Sequence, residues 1–266
     1  MGDIYSSAKL VICWLGPECE IIQEGMQWFT DFASLLRDVS FATDRLSLEP
    51  LPSVAKLCHL NYWTRVWILQ EFLLARMAQL QRGAMTINAD DMYSVLNPVR
   101  KHAFMKRLED LYEDKASFSD TRPAKLASLA EETWNSPGHH VVSRLSRDQK
   151  HEILTKDFLS LLAVSCYAEC ADVRDRVYSI LSLVTPEQRR LLNITPDYSR
   201  EASALALLLI DRIGTYYTQH DRYRLWGKEN YVRIISDALG SKDSEPLGRT
   251  ERVRKSQMIA HYIQRA

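Results

Sequence analysis

The sequence predicts an α/β fold dominated by helices, on the basis of two apolar runs and of the helical pattern around them. The first run, Lys9–Leu15, ends in Gly16-Pro17, which is typical of a strand buried on both faces of a sheet. The second run, Met77–Gln81, stands before Gly83 and predicts another short strand. Between and beyond these runs, apolar residues recur at helical spacing. Two strands joined by helical segments indicate an α/β unit.

The elements between the two strands follow from periodicity and capping. Apolar residues at helical spacing, with acidic residues in the first turn, predict a helix over Glu18–Arg37. Pro50 and Pro52 close a polar loop, and Ser53 is placed to cap the helix that follows. We expect this second helix to carry the segment Trp63–Glu71.

Beyond residue 90 the pattern is helical. Thr185 as a cap, with Pro186 at the first helical position, predicts one helix start in this region. From residue 221 the chain becomes polar. We therefore expect an α/β unit over residues 1–95, a helical extension over 96–220 and a polar tail over 221–266.

The composition excludes several classes of protein. The 266 residues include 46% hydrophobic ones, enough to build a core, and 34 basic residues balance 34 acidic ones. This balance gives no global field that would favour nucleic acid, and no apolar run is long enough to span a membrane. Five cysteines at irregular spacing and no secretory leader indicate a reducing compartment, so we expect a cytoplasmic protein. The chain has neither zinc-ligand spacing nor a glycine-rich phosphate loop, so we expect no metal and no bound cofactor.

The most informative segment is an apolar decapeptide that contains two tryptophans. Helical periodicity places Trp63, Trp67 and Glu71 four residues apart, on one stripe. A carboxylate on an aromatic face needs a partner or has its pKa raised, and Arg65 and Gln70 are the nearest donors. The segment is therefore either a buried structural pair or the floor of a binding site.

Each of these residues has a functional and a structural interpretation. Glu71 is the candidate catalytic residue, as a general acid–base or a ligand of a sugar hydroxyl, and it could instead be satisfied by Arg65 or by backbone N–H groups. Trp63 and Trp67 could stack a purine or nicotinamide ring, or anchor a core. Arg65 could bind phosphate or pair with a carboxylate of the chain. Gln70 completes the set of candidate ligand-binding residues.

Three blocks, in the right order, resemble the fungal heterokaryon-incompatibility (HET) domain. Ile4–Gly16 resembles the family's Ile-Tyr-x-x-Ala followed by a strand that ends in Trp-Leu-Gly. Tyr62–Ala75 contains the Trp-x-Arg-x-Trp-x-x-Gln-Glu pattern of the family, and we call residues 62–71 the signature segment. Arg174–Val184 and Pro196–Ser199 are similar to the Arg-Asp-Arg-Val-Tyr and Asp-Tyr-Ser pieces that follow many such domains.

The resemblance implies a fold and a class of function. HET domains are distantly similar to TIR domains, so residues 1–95 would form part of a TIR-like α/β unit. The class acts in fungal self/non-self recognition and regulated cell death, as effectors triggered through other proteins of the incompatibility pathway, and self-association is a further expectation. Some TIR domains cleave NAD with a glutamate on a helix, so an alternative is an NAD-cleaving enzyme that uses Glu71, with NAD as substrate. Whether the chain is an enzyme stays open.

One departure from the family pattern concerns the start of the chain. In the family, a segment reading approximately Trp-Ile-Asp-x-x-Cys-Ile-Asn-Gln precedes the first block. Here Met1 comes directly before that block. We therefore expect a domain that lacks its N-terminal part, and a truncated, non-functional product is a third alternative.

Overall fold

The computed structural model describes residues 2–37, 49–96, 122–142, 157–166, 168–219 and 228–240. Three strands lie within these ranges: β1 Val11–Trp14, β2 Ala78–Arg82 and β3 Met85–Asn88. The described helices, in chain order, are α1 Gly2–Ser7, α2 Glu20–Arg37, α3 Leu51–Cys58, α4 Ile68–Leu73, α5 Ala89–Leu96, α6 Arg122–Trp134, α7 Pro137–Val142, α8 Phe158–Ser165, α9 Asp175–Tyr178, α10 Pro186–Leu192, α11 Ala202–Gln219 and α12 Lys228–Leu239. The fold is thus α/β and helix-dominated, as the sequence predicts.

The chain packs into two compact units, each built from separate stretches of sequence. The sheet unit comprises Ser7–Trp63 and Ala75–Ser146, and the helical unit comprises Met1–Ser6, Thr64–Leu74 and Arg147–Ala266. The expected division at residues 95 and 220 stays a prediction. The chain passes from one unit to the other inside the signature segment, between Trp63 and Thr64.

The sheet unit is organised around a three-stranded mixed sheet of order β1-β2-β3. β1 and β2 are parallel, with Val11 opposite Ala78, whereas β2 and β3 form an antiparallel hairpin. Gly83 turns this hairpin at φ +56°, a left-handed conformation that glycine adopts without strain. Helices α2 and α5 contact this sheet, and α3 packs on α2.

The expectation that β1 is buried on both faces is wrong. Val11 and Cys13 are buried, whereas Ile12 is 55% exposed and Trp14 is 51% exposed. Because side chains alternate across a strand, only one face of β1 lies against the core. The apolar run therefore marks a strand. Its continuous apolarity arises because Ile12 and Trp14, on the other face, are apolar although they are exposed.

Helix α2 is confirmed within two residues of its predicted start. Its buried side is apolar, with Met26 and Phe29 fully enclosed. Gly25 lets α3 approach closely, since a Cβ there would lie 2.7 Å from the Ser53 carbonyl oxygen. Ser53 lies inside α3 rather than at its cap, and its hydroxyl donates to the Glu24 carboxylate.

The helical unit has its own apolar core. Side chains from α8, α9, α11 and α12 form it, and Leu69 and Leu73 of α4 belong to it. Helix α10 begins as predicted, because Thr185 accepts a hydrogen bond from the Gln188 N–H and Pro186 occupies the first turn. Asn193 ends the helix in the left-handed conformation at φ 45°. Among the described helices, none combines the length and the apolarity that crossing a bilayer requires.

Candidate functional site

The signature segment does not form one helix, so the predicted stripe is wrong. Helix α3 ends at Cys58, Asn61–Thr64 form a 3₁₀ turn, and α4 begins only at Ile68. Between the turn and α4 the backbone is non-helical at Arg65. Trp63, Trp67 and Glu71 are therefore not stacked at successive turns of a single helix.

A long-range backbone bridge interrupts the helix. The Val66 N–H donates to the Glu169 carbonyl oxygen (3.0 Å), and the Glu169 N–H donates to the Thr64 carbonyl oxygen (2.7 Å). The Thr64 hydroxyl also donates to the Glu169 carboxylate, at 2.9 Å. A continuous helix would use these backbone groups internally. The bridge thus fixes an extended backbone at Arg65, which pairs in parallel with Glu169.

Trp63 lies in the sheet unit and is a core anchor there. Only 3% of its surface is exposed, and its indole N–H donates to the Leu57 carbonyl oxygen at 2.7 Å. Tyr62 packs edge-on against it, with 5.3 Å between ring centroids. Gly138 approaches it so closely that a Cβ would lie 3.2 Å from the indole ring. This burial leaves no face of the indole open for stacking a ligand ring.

Gln70 lies in the helical unit and is fully buried, at 0% exposure. Its side-chain amide donates to the Ser179 carbonyl oxygen, which follows α9. The hydrogen bond links the signature segment to Arg174–Val184, the third block of the resemblance. Gln70 is thus placed as a structural link between two blocks of sequence.

The remaining candidates in the helical unit are more accessible. Trp67 precedes α4 and is half-buried, packed on the edge of the apolar core. Glu71 lies in the first turn of α4 and is half-buried, between the buried Gln70 and Phe72. Arg65 is exposed. Of the five candidate site residues, Trp63 alone belongs to the sheet unit, and the other four belong to the helical unit.

The charged cluster at the start of α9 supports the fold. The Arg174 guanidinium donates to the Asp172 carboxylate and to the backbone carbonyls of Tyr198 and Arg200, at 2.8 and 2.5 Å. It also lies 5.4 Å from the centre of the Tyr198 ring. Hydrogen bonds from Arg174 lower the pKa of the Asp172 carboxyl. The Tyr198 hydroxyl donates to Asp175 at 2.6 Å, so the Asp-Tyr-Ser piece is bound to the Arg-Asp-Arg piece.

Sequence reasoning missed both partners of the signature segment. Glu169 carries no local signal, because its role depends on a backbone pairing across about a hundred positions of chain. A buried acceptor for Gln70 could have been expected, since a buried glutamine needs a hydrogen-bond partner, but no local signal points to the Ser179 carbonyl. Among the described residues, no group of three or more histidine, cysteine or acidic side chains could hold a metal ion.

The comparisons with known proteins found a family match for the first part of the chain. Neither a curated protein nor a solved structure matches the chain. Residues 1–71 match a family model whose description is "Heterokaryon incompatibility protein (HET)". The matched residues include the whole first block, Ile4–Gly16, and the whole signature segment, residues 62–71. The resemblance is therefore confirmed over residues 1–71, which are similar to the heterokaryon-incompatibility family.

Proposed function

We propose that this chain is an effector of fungal self/non-self recognition, acting in the cytoplasm as a signalling and interaction module of regulated cell death. The observation that carries the proposal is the family match over residues 1–71. Its partners would be other proteins of the incompatibility pathway. The proposal is supported by the structural use of Trp63 and Gln70, because both stabilise the fold rather than line a ligand site.

The test is expression of the full chain from an inducible promoter in a filamentous fungus. We expect growth to fall on induction, or on fusion with a strain that carries the partner protein. The Trp63→Ala chain serves as a control that has the same backbone but a disrupted core. A folded full chain that leaves growth unchanged in both settings would argue against an effector role.

An NAD-cleaving activity is the second candidate, and the position of Glu71 favours it. This carboxylate is half-buried, whereas the residues on either side of it are buried. A group that acts on a bound molecule must be reachable from solvent, and Glu71 meets that requirement better than Gln70. An enzyme using Glu71 as an acid–base or as a ligand of ribose hydroxyls would lose activity in the Glu71→Gln chain.

The experiment compares Glu71→Gln with Glu187→Gln, which removes the same charge from the first turn of α10, in the same unit. Cellular NAD, viability and protein abundance are measured together. Loss of NAD consumption in Glu71→Gln alone supports the enzyme. Equal viability loss at constant NAD in both variants removes Glu71 from catalysis and leaves the interaction module. A chain that is folded and abundant but inactive in every form points to a non-functional product.

A further inference from the structure

Three hydroxyl side chains of the sequence are followed directly by proline. They belong to Ser136, Thr185 and Thr195. Protein kinases of the proline-directed class take this dipeptide as substrate when its hydroxyl is accessible and its backbone is extended. Proline favours such a backbone, because its ring moves the preceding residue out of the helical region. The three hydroxyls satisfy the same sequence rule, and their places in the fold differ.

Ser136 and Thr185 stabilise the starts of helices. Ser136 is fully buried, and its hydroxyl donates to the Thr133 carbonyl oxygen at 2.6 Å and accepts from the His139 N–H at 3.1 Å. Thr185 is half-buried, and its side-chain oxygen accepts from the Gln188 N–H. The proline that follows is the first residue of α7 in one case and of α10 in the other. A kinase could reach these two hydroxyls only by disrupting the helix starts that they stabilise.

Thr195 lies on the surface of the helical unit. Thr195 and Pro196 are both exposed, in the stretch 194–197 between α10 and α11, where the backbone is neither helix nor strand. No described residue forms a hydrogen bond with the Thr195 side chain. The stretch is held on both sides, because Ile194 is buried in the apolar core and the Asp197 carbonyl oxygen accepts from the Tyr178 hydroxyl at 2.9 Å. The fold therefore presents this hydroxyl to solvent and leaves it unused.

We propose that Thr195 is a phosphorylation site for a proline-directed serine/threonine kinase. The Thr195 Oγ attacks the γ-phosphorus of Mg²⁺-bound ATP and forms an O–P bond. The bond between the γ-phosphorus and its bridging oxygen breaks, ADP leaves, and the hydroxyl proton passes to the aspartate base of the kinase. Thr195 lies outside the matched residues 1–71, so the proposal does not rest on the cell-death role proposed above.

Phosphorylation of Thr195 should leave the fold intact. The phosphate adds about 1.5 to 2 negative charges at pH 7. It adds them to an exposed position near Arg189 and Arg190, which are exposed in the last turn of α10. Since surface changes of this kind shift stability little, we expect the melting temperature to change by no more than about 2 °C. A phosphate on Thr185 would instead remove the cap of α10 and lower the melting temperature further.

The test incubates the purified full chain with Mg²⁺, ATP and an active mitogen-activated protein kinase, and maps the phosphate by mass spectrometry. We expect phosphate on Thr195. Thr195→Val removes the hydroxyl and should abolish this phosphate. Pro196→Ala keeps the hydroxyl but removes the feature that the kinase recognises, so it should slow incorporation by about tenfold or more. Thr185→Asn is the matched control, because asparagine caps α10 without a hydroxyl, and it should be phosphorylated as the wild type is.

A synthetic peptide of residues 190–200 separates the effect of the fold from that of the sequence. Phosphorylation of both the peptide and the folded chain at Thr195 supports the proposal. A peptide that is phosphorylated while the folded chain is not would show that the fold withholds Thr195, and it would overturn the proposal. Phosphate on Ser136 or Thr185 instead of Thr195 would do the same, as would a peptide and a chain that both stay unmodified.

Discussion

Among single residues, Gln70 is a polar side chain that needs a hydrogen-bond partner inside the protein. Its side chain is fully buried in the helical unit and donates to the Ser179 carbonyl oxygen. Replacing the amide by an apolar group would leave that carbonyl without a donor, and replacing it by a carboxylate would bury a charge. The neighbouring Glu71 is half-buried.

We therefore expect Gln70→Glu to lower the free energy of unfolding by roughly 3 kcal/mol or more at neutral pH. Burial would raise the pKa of the new carboxyl in the folded chain above its unfolded value of about 4.3. The penalty is thus largest above the folded pKa and vanishes as the pH falls below about 4, where both states are protonated. Urea denaturation at several pH values, with Glu71→Gln as control, measures this. A variant as stable as the wild type at pH 7 would show that residue 70 is not buried.

At the scale of elements, the 3₁₀ turn Asn61–Thr64 and helix α4 hold their tryptophans differently. Trp63 of the turn is 3% exposed and hydrogen-bonded through its indole N–H. Trp67, just before α4, is half-buried on the margin of another core. Because the two side chains bury different areas, they contribute differently to stability although they match the same sequence pattern.

We expect Trp63→Ala to cost about 3–5 kcal/mol in unfolding free energy, and Trp67→Ala roughly half as much. On a continuous helix both tryptophans would lie on one stripe, so the order of the two effects distinguishes the structure from the continuous helix. Denaturant unfolding of both variants under one condition gives the comparison. A greater loss at Trp67 than at Trp63 would favour the continuous helix.

At the scale of the whole molecule, each unit contains a buried thiol. Cys58 lies in the sheet unit, and burial raises the pKa of its thiol from 9.0 to about 12. Cys166 lies in the helical unit, and burial likewise raises the pKa of its thiol to about 12. Each thiol therefore stays protonated in the folded chain at pH values where the unfolded chain has lost the proton.

The folded pKa values exceed the unfolded ones, so the stabilising contribution is complete below pH 9.0 and is lost as the pH rises toward about 12. Each thiol should remove up to about 1.4 kcal/mol of stability per pH unit within that window. Cys58→Ala should flatten the alkaline fall in stability relative to the wild type, and Cys166→Ala should do the same. An unchanged slope in either variant would show that its thiol titrates normally.

Local information in the sequence predicts part of this fold. Helix α2 and the start of α10 are confirmed, because amphipathic spacing and the Thr185 cap act over only a few residues. The strands β1 and β2 are confirmed as short strands, but β3 was missed, since its pairing depends on the Gly83 turn.

The candidate site is less predictable for a physical reason. The helix over the signature segment is interrupted by backbone bonds to Glu169, a partner that periodicity does not reveal. Burial of Trp63 and Gln70 also depends on distant stretches of chain. Sequence spacing therefore does not predict which of the five candidate residues are buried.

The end of the family match inside α4 has a consequence for the exchange of segments between genes. The family match ends at residue 71, in the middle of α4, whereas Leu69 and Leu73 of α4 are covered by residues from 158 onward. A gene-shuffling breakpoint at residue 71 would carry half of α4 into a new protein and leave its apolar covering behind. The matched segment and the later helices are thus expected to be transmitted together, so that exchange between genes replaces both or neither.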